Sequence, residues 1–521
     1  MKKYFIAFII CFASPFNLSA QLNLAWQSII DDGASGNENA EISVNDPNGY
    51  VYTIGTMRPW GFNSSDLVIV KYDAMGNELW RTFYAGPSGK SEKINDAVLD
   101  QNGDLILCGE YFNVSNKNDI LVMKYSSIGG FMWMDTIDGT NATYDQGFAV
   151  CVDDANNYYF TGYTSSGTIK GRLLKYSPSG QQLWSAVYTG TQQGTGLSFY
   201  ENYIYLTCMT GPTGSPSHAS LMKLDTSGTL ISAVNLNMYN GDQISDVLFR
   251  DDKIYIVDAR SYSAPAGSQF GIVCADTSMQ VIWDKNFNAG YNSTPVGISI
   301  HDTVLYAVYT EYANSNYTPS AVKVRGISCL TGDSLFSTTC FTQGSQNDVA
   351  LAQRMDANGT LSVLLTYEIA PTVDRFQLTR IDAAGVQTGG HLFYDIPGFG
   401  DATILQAGLN EVIINATVYD SIANNTNIST WKFTTGSVGL STANPKTRLV
   451  AGPVPAKEYL QLFGLPVGSF RYEILSCDGR LVNRGELSAG DIQLSLSMKQ
   501  GYYFLKVYGE SEIYSTSFIK E

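Results

Sequence analysis

The sequence predicts an all-β fold, an eight-bladed β-propeller followed by a small C-terminal β-sandwich, and three observations support this prediction. The 521 residues are 44% hydrophobic, 12% aromatic and only 15% charged, which is typical of an ordered chain rich in strands. One stretch recurs at steps of 48 to 53 residues. The recurrence stops near residue 436, and a different strand pattern follows it.

The recurring stretch is clearest as DLVIVKYDAMGNELW at 66–80. An apolar, strand-like run ends before Asp73, whose carboxylate can accept backbone N–H groups at the start of a type I turn. Gly76 can close this turn because glycine adopts the left-handed conformation without strain. Trp80 follows four residues later. The stretch therefore predicts a β-hairpin with its own aromatic packing anchor.

The turn position of this hairpin recurs eight times, as Gly76, Gly129, Gly180, Gly228, Met279, Gly332, Gly385 and Gly436. The anchor is aromatic in five of the eight units, and its residues are Trp80, Trp133, Trp184, Ser232, Trp283, Phe336, Gly389 and Leu440. Asp-bearing turns lie between these positions, at 45–55, 99–109, 152–162, 250–257 and 355–365. Four strands in about 50 residues, repeated eight times, predict an eight-bladed propeller over residues 21–436, with seven blades as the alternative.

A propeller has to join its first and last blades, because an open blade would expose a strand edge. The segment 24–30 resembles the fourth strand of a unit, and its Trp26 lies 54 residues before Trp80. The last unit has three good strands but only the weak segment 438–440 after Gly436. We therefore predict that the N-terminal strand closes the eighth blade.

The first 20 residues are typical of a secretory signal peptide. Lys2 and Lys3 precede an apolar run at 4–13, and small residues end at Ala20. This run is well short of the ~20 residues that a membrane-spanning helix needs. We expect a mature chain that begins near Gln21, has no transmembrane segment and is secreted.

Charge and residue counts argue against several functions. A net charge of -16 and the lack of any basic run disfavour nucleic acid as a partner, since phosphate binding needs clustered Lys and Arg. The chain has three histidines and no CxxC pair, which disfavours a histidine-based triad and a structural zinc site. The Asp-bearing turns lack the further carboxylates of a calcium loop. The sequence predicts no cofactor and no metal site, and it leaves catalysis open while favouring binding.

Seven cysteines remain after Cys11 of the leader, and most of them lie in apolar runs, as small buried hydrophobic residues do. Cys329 and Cys340 flank a turn at Gly332 and are the one pair that suits a disulfide. The sequence leaves that bond open.

Long loops are expected on one face of the propeller, because strand direction alternates within a blade. These loops are rich in Tyr, Trp, Asn, Ser and Gly, which suits a recognition surface but is also ordinary loop composition. The predicted ligand-binding residues are Trp60, Phe62, Tyr111, Phe112, Tyr262, Tyr291, Tyr312, Tyr317 and Phe399. We predict a binding module for a glycan or a protein. The alternatives are a carboxylate-dependent glycan hydrolase or lyase on the same face, and a structural surface-layer component.

Two resemblances to known families extend this prediction. The segments VDDANNYYFTG at 152–162 and KYDAMGNELW at 71–80 resemble secreted β-propeller repeats of the SBBP type, and more distantly the tryptophan-docked repeats of eight-bladed quinoproteins. This resemblance covers 22–436 and implies a fold rather than an activity. The quinoprotein enzymes resemble one another in a pair of adjacent cysteines over the cofactor, and no two cysteines are adjacent here.

The C-terminal region, residues 450–521, follows a linker at 437–449 and predicts six short strands. It resembles the type A C-terminal sorting domain of the type IX secretion system, through Pro453, Pro455, YEILSCDGRLVNRGELSAG at 472–490, LSLSMKQGYYFLKV at 494–507 and the final FIKE. The resemblance implies recognition by the secretion machinery during passage across an outer membrane, and a surface-attached or released protein. A sandwich that serves as an ordinary binding module is the alternative.

Overall fold

The computed structural model describes residues 22–31, 37–58, 65–86, 91–112, 117–138, 144–165, 168–188, 190–211, 218–236, 243–261, 268–287, 292–313, 319–340, 346–370, 373–395, 402–408, 411–420, 425–435, 450–452, 459–463, 469–476, 481–488, 492–495, 499, 501–508 and 513–520. Contacts divide the chain into two units, residues 1–436 and 437–521. Every regular element in the described residues is a β-strand. Among these residues there is no long apolar helix of the kind that crosses a membrane.

The first unit consists of four-stranded antiparallel sheets, one for each repeat of the sequence. The first four blades contain β2 (Asn37–Asn45), β3 (Val51–Arg58), β4 (Asp66–Tyr72) and β5 (Glu78–Tyr84); β6 (Glu92–Leu99), β7 (Leu105–Phe112), β8 (Asn118–Tyr125) and β9 (Phe131–Ile137); β10 (Gln146–Val152), β11 (Tyr158–Ser165), β12 (Ile169–Tyr176) and β13 (Gln182–Val187); and β14 (Thr191–Tyr200), β15 (Tyr203–Thr210), β16 (His218–Leu224) and β17 (Leu230–Leu236).

The next four blades follow the same order of strands. They contain β18 (Gln243–Arg250), β19 (Lys253–Ser261), β20 (Ser268–Asp276) and β21 (Val281–Phe287); β22 (Asn292–His301), β23 (Val304–Tyr312), β24 (Pro319–Ser328) and β25 (Ser334–Thr339); β26 (Gln346–Met355), β27 (Leu361–Ala370), β28 (Val373–Ile381) and β29 (Gln387–Asp395); and β30 (Ala402–Gly408), β31 (Glu411–Asp420), β32 (Asn425–Thr435) and β1 (Leu22–Ile30). The prediction of an all-β, propeller-type repeat fold is confirmed.

The N-terminal strand closes the last blade. Strand β1 pairs antiparallel with β32, from Leu22 opposite Thr435 to Ile30 opposite Ile428. It takes the place of a fourth strand after β32, as the sequence predicts. One further bridge joins Asn37 of the first blade to Thr426.

The second and third strands of each blade are buried on both sides because the blades stack on one another. Strand β8 is buried along its whole length, whereas the outer strand β9 is exposed at its start. One hydrophobic cluster joins Tyr52 and Ile69 of the first blade to Leu107 and Leu121 of the second. This burial explains why these strands are continuous apolar runs rather than alternating patterns.

The predicted Asp and Gly turns are present. Asp73 accepts hydrogen bonds at Oδ1 from the backbone N–H of Met75 at 2.8 Å and of Asn77 at 2.9 Å. The side chain and backbone of Asn77 hold the pKa of Asp73 below its usual value. Gly76 has a φ of 84°, in the left-handed region that the turn requires. The local chemistry of the turn therefore follows from its sequence.

The aromatic anchor of the hairpin packs within its own blade, where the ring of Trp80 lies 5.9 Å from that of Tyr52, and also against the next blade, which the sequence did not predict. Trp80 of the first blade donates through Nε1 to the carbonyl of Ser127 in the second, at 3.1 Å. A Cβ on Gly129 would lie 2.7 Å from the Trp80 ring. Trp26 of the closing strand meets Gly76 of the first blade in the same way. The glycine therefore has two roles, because it supplies the positive φ and leaves room for a neighbouring ring.

The junction between the fourth and fifth blades lacks both elements of this contact. Ser232 lies opposite Lys223, in the register position that Trp80 occupies opposite Lys71. In the next turn Met279 replaces the glycine with a φ of 69°, and its side chain is only 5% exposed. Met279 belongs to the hydrophobic cluster of this junction. A small anchor is thus matched by a large turn residue.

The first strands of the blades surround the centre of the propeller and contact one another from blade to blade. Each of the first strands from β2 to β26 contains a bulge or irregularity near its middle. Asp96 accepts the backbone N–H of Val150 in the following blade at 2.8 Å, and Asp246 accepts that of Ile298 at 3.0 Å. Burial raises the pKa of both aspartates to about 6, against the opposing effect of these hydrogen bonds.

The second unit forms two sheets. One contains β33 (Val450–Gly452), β34 (Tyr459–Phe463) and β37 (Ile492–Ser495), and the other contains β35 (Ser469–Ser476), β36 (Leu481–Ser488), β38 (Gly501–Tyr508) and β39 (Ile513–Lys520). Ile474, Leu505 and Val507 are buried.

The six cysteines in the described part of the first unit are buried and free, including Cys329 and Cys340. The disulfide that the sequence left open is therefore not formed, and these residues act as small hydrophobic side chains.

Candidate functional site on the loop face

The two ends of the propeller differ in their connections. The turn face carries the Asp and Gly turns between first and second strands and between third and fourth strands. The loop face carries the connections between second and third strands and between blades. This arrangement agrees with the expectation from alternating strand direction.

Six of the nine predicted ligand-binding residues lie outside the described residues: Trp60, Phe62, Tyr262, Tyr291, Tyr317 and Phe399. The other three are at the loop face but in strands, so their prediction as loop residues is wrong. Tyr111 and Phe112 end β7, and Tyr312 ends β23 in the sixth blade. The strand continues there because Phe112 donates its backbone N–H to Ser91 at 3.0 Å.

Tyr111 lies beside a buried carboxyl group. A Cβ on Gly86 would be 3.0 Å from the Tyr111 ring and 2.2 Å from Oε1 of Glu92. Tyr84 belongs to the same group of residues. Burial, and then the charge of Glu92, raise the pKa of its hydroxyl group. These groups form a compact site where the first two blades meet on the loop face.

Glu92, the first residue of β6, is the unusual member of this site. It is 1% exposed, and among the described residues no side chain donates a hydrogen bond to its carboxyl group. Burial, and then the charge of Asp66, raise the pKa of Glu92 to about 8, whereas the backbone N–H groups of Gly86 and of Glu92 itself lower the pKa of this carboxyl group. Its backbone N–H donates to the carbonyl of Ser65 at 3.0 Å, which fixes the residue at the blade junction.

Two acidic groups of this site, Glu92 and Asp66, have raised pKa values. With a pKa of about 8, Glu92 is mostly protonated at neutral pH and can act as a hydrogen-bond donor or general acid. The pKa of Asp66 is also raised by burial. Two carboxyl groups whose environments separate their pKa values are a common arrangement in acid and base catalysis.

A neighbouring buried carboxyl group, that of Glu110, differs from Glu92 in its hydrogen-bond partners. Glu110 is also buried, but it accepts hydrogen bonds from the side-chain amides of Asn95 at 3.2 Å, Asn118, and Gln146 at 3.0 Å. Glu110 is therefore part of a network of side-chain amides, whereas the buried carboxyl group of Glu92 has no side-chain donor among the described residues.

A second acidic group occupies the equivalent place one junction further. Asp119 and Asp145 each lie 53 residues after Asp66 and Glu92, and Asp138 joins them. Their carboxylate oxygens lie within 4.8 Å of one another, with Asp119 and Asp145 buried and Asp138 exposed. Asp145 accepts the backbone N–H of Ser165 at 2.8 Å. Oxygen ligands of this kind suit a hard cation such as Ca²⁺, so these residues could hold a metal ion, which sequence analysis did not predict.

Sequence analysis missed both acidic groups because it gave weight to aromatic residues in loops. A signal for them exists in the repeat itself. Asp66 and Asp119 occupy the same position of consecutive units, as do Glu92 and Asp145. A search for acidic residues that recur at the repeat spacing, but outside the Asp and Gly turns, would have identified these positions.

No protein-family model and no curated protein sequence matches the chain. Solved structures are similar in fold. Quinohemoprotein alcohol dehydrogenase from Comamonas testosteroni is 10% identical with a TM-score of 0.50, over 83% of this chain and 79% of that one. The WD40 domain of SCAP from fission yeast is 10% identical with a TM-score of 0.47, over 80% of this chain and 98% of that one. A polysaccharide lyase of family PL25, an ulvan lyase, is 10% identical with a TM-score of 0.40, over 61% and 88%.

The repeated four-stranded sheets and the similarity to the dehydrogenase define the first unit as a propeller-type all-β domain. At 10% identity the similarity shows the fold alone. Function has to be argued from the side chains of this chain.

Proposed function

We propose that the protein is an exported propeller that binds a glycan or a protein on the loop face of its first three blades. The observation that supports this most is Glu92, a buried carboxyl group next to Tyr111 that has no side-chain hydrogen-bond donor among the described residues. A buried carboxyl group that lacks such donors lowers stability, so its presence points to a role other than folding. Tyrosine rings beside it supply rigid contact area.

The proposal is tested by retention of the mature chain on immobilised polysaccharides and on candidate surface proteins. Glu92→Gln keeps the shape of the side chain but changes its proton and charge, and we expect at least about tenfold weaker retention, as for loss of a hydrogen bond to a charged group. Asn358→Ala, on an exposed turn of the opposite face, is the control and should bind as the unmodified chain does. Equal losses in both variants, or none, would contradict the proposal.

The predicted rings of the remaining loops enter the same assay. Trp60→Ala and Tyr262→Ala should each weaken retention by about 0.5 to 1.5 kcal/mol if the rings stack on the ligand. Thermal unfolding of each variant should stay unchanged. These two residues remain predictions from the sequence.

A carboxylate-dependent hydrolase or lyase is the second candidate, because Glu92 and Asp66 provide an acid of raised pKa beside another carboxyl group. Release of new reducing ends or unsaturated products from a retained polysaccharide would show this activity. Glu92→Gln should then lower the rate of product release by more than about 100-fold, which is the scale of general acid catalysis. Retention without any product would leave the binding role alone.

The leader at 1–20 and the C-terminal segment 450–521 support export to the cell surface or the medium. The support is the resemblance of 450–521 to type IX sorting domains, together with the separate contacts of the second unit. Removal of 437–521 should keep the protein inside the outer membrane of a secreting host while the propeller still folds. Normal release of the shortened chain would contradict the sorting role.

A further inference from the structure

A cavity of about 740 Å³ lies on the turn face, where the first three blades meet. Val44, Val98 and Val152 of the first strands give it an apolar lining. Lys71 and Asn102 add an ammonium and an exposed amide. The volume is in the range of roughly 300 to 1,000 Å³ that is usual for small-molecule sites.

Lys71 has few partners for a buried ammonium group. Its side chain is 8% exposed, and among the described residues its Nζ has one acceptor, the carbonyl of Ser127 at 3.0 Å. That carbonyl also accepts the indole N–H of Trp80. The rings of Tyr50 and Tyr52 lie 4.8 and 4.7 Å from Nζ, which favours the cation without using its hydrogens. Two N–H groups of Lys71 therefore remain for another acceptor.

The equivalent lysine of the second blade shows what a saturated site looks like. Lys124 contacts Asp100 at 3.0 Å, Asp104 at 2.9 Å and the hydroxyl of Tyr158 at 2.8 Å. In the first blade Tyr50 stands where Asp104 would be, and Leu105 of the second blade stands where Tyr158 would be. Lys71 therefore lacks the equivalents of two acceptors that Lys124 has, and it lacks them where the cavity opens.

We propose that this cavity binds the carboxylate of a small acidic molecule, with Lys71 as the charged donor. A single negative charge fits better than a phosphate dianion, because there is one open ammonium and the carboxylates of Asp46 and Asp100 also line the cavity. The valine lining suits the apolar face of a sugar ring or a short aliphatic side chain. Burial lowers the pKa of Lys71 and Asp46 opposes this, which is the pattern of an ammonium without full compensation.

Two sources can supply such a carboxylate, a sugar acid or a peptide C-terminus, and calorimetric titration of the mature chain separates them. The probes are galacturonate with galactose as its neutral counterpart, and N-acetylalanine with its amide as counterpart. We expect one acid to bind and its counterpart to bind at least about tenfold more weakly, as for loss of a charge-assisted hydrogen bond. Binding of neither acid, or equal binding of acid and counterpart, would overturn the proposal.

Matched variants identify the residues. Lys71→Met should weaken binding of the acid at least about tenfold, whereas Lys223→Met should not. Lys223 is equally buried, also donates to a carbonyl, that of Thr277, and lies over Tyr203, but it does not line the cavity. Unchanged affinity in Lys71→Met would overturn the proposal.

A second pair of variants decides the case if Lys71→Met does not fold. Asn102→Asp places a negative charge at the cavity on an exposed turn, and Asn358→Asp places the same charge on the equivalent turn of the seventh blade. We expect weaker binding of the acid in the first variant and no change in the second. Equal affinities in the two variants would overturn the proposal.

Discussion

The two faces of the second blade differ in the partners of their carboxyl groups. On the turn face of the second blade, Asp100 accepts two backbone N–H groups, the ammonium of Lys124 and the hydroxyl of Tyr158. On the loop face, no ammonium, hydroxyl or side-chain amide donates to Glu92 among the described residues. The difference indicates that the turn face mainly stabilises the fold, with the Lys71 cavity as its exception. The loop face keeps a group that binding or catalysis can use.

Removal of the closing strand should have the largest effect on the stability of the propeller. Deletion of residues 21–30 takes away the fourth strand of the last blade and the ring of Trp26 that covers the turn at Gly76. We expect loss of cooperative thermal unfolding of the propeller, because the edge of β32 would be open. Unchanged unfolding of the shortened chain would show that closure does not depend on β1.

Truncation of one turn-face anchor should have the next largest effect. Trp80→Ala removes a ring that packs on Gly129 and donates to Ser127, and we expect a loss of about 3 to 5 kcal/mol in the free energy of unfolding. Denaturant unfolding measures this loss. Leu79→Ala is the control, since Leu79 is its exposed neighbour on the same strand, and it should cost far less.

Stability should depend on pH through the raised carboxyl groups. Glu92, Asp96 and Asp246 bind protons more tightly in the folded chain than in the unfolded chain, with pKa values of about 8, about 6 and about 6. The contribution of these three groups to the free energy of unfolding should therefore fall as pH rises from about 4 to about 8. Aspartates with lowered pKa, such as Asp73, act in the opposite sense and lose their stabilising effect below about pH 4.

Glu92→Gln sharpens the pH prediction. The variant should be at least as stable as the unmodified chain at pH 8 and should lack the part of the pH dependence above about pH 6. Thermal unfolding across this pH range measures both effects. The same pH dependence in the variant and in the unmodified chain would show that Glu92 does not titrate as inferred.

Substitutions at the junction between the fourth and fifth blades, where Ser232 and Met279 stand in place of an aromatic anchor and a glycine, should have the smallest effect on stability. Met279→Gly leaves a gap, and Ser232→Trp overfills the space beside Met279, so each single change should lower stability. The double variant restores the arrangement of the other junctions and should recover at least about 1 kcal/mol of the summed losses. Strictly additive losses would show that positions 232 and 279 do not contact across the junction.

The sequence predicts the fold well because its turn chemistry is local. Asp73 and Gly76 determine the turn by themselves, and Trp26 reveals the closing strand by matching Trp80. The partner of each anchor is not local, and the sequence alone did not reveal it. A clue is present, since Met279, the one turn residue of the series that is not glycine, follows in the unit directly after Ser232, one of the three anchors that are not aromatic.

The candidate site was harder to predict because it depends on neighbours from another blade. Tyr111 and Phe112 look like loop residues, but backbone hydrogen bonding to the segment before β6 extends their strand. Glu92 is an ordinary polar residue in the sequence. Its raised pKa comes mainly from burial, and burial depends on residues of the neighbouring blade that the sequence does not place next to it.

Closure by the N-terminal strand also sets an order of events in folding. Gln27 of β1 donates to Ser429 of β32, a residue 402 positions later in the chain. Contacts between such distant residues form late, since the chain entropy lost in bringing them together is regained only when the rest of the ring is in place. We expect that the ring stays open until residues 425–435 have been synthesised, so any incomplete chain would lack a closed propeller.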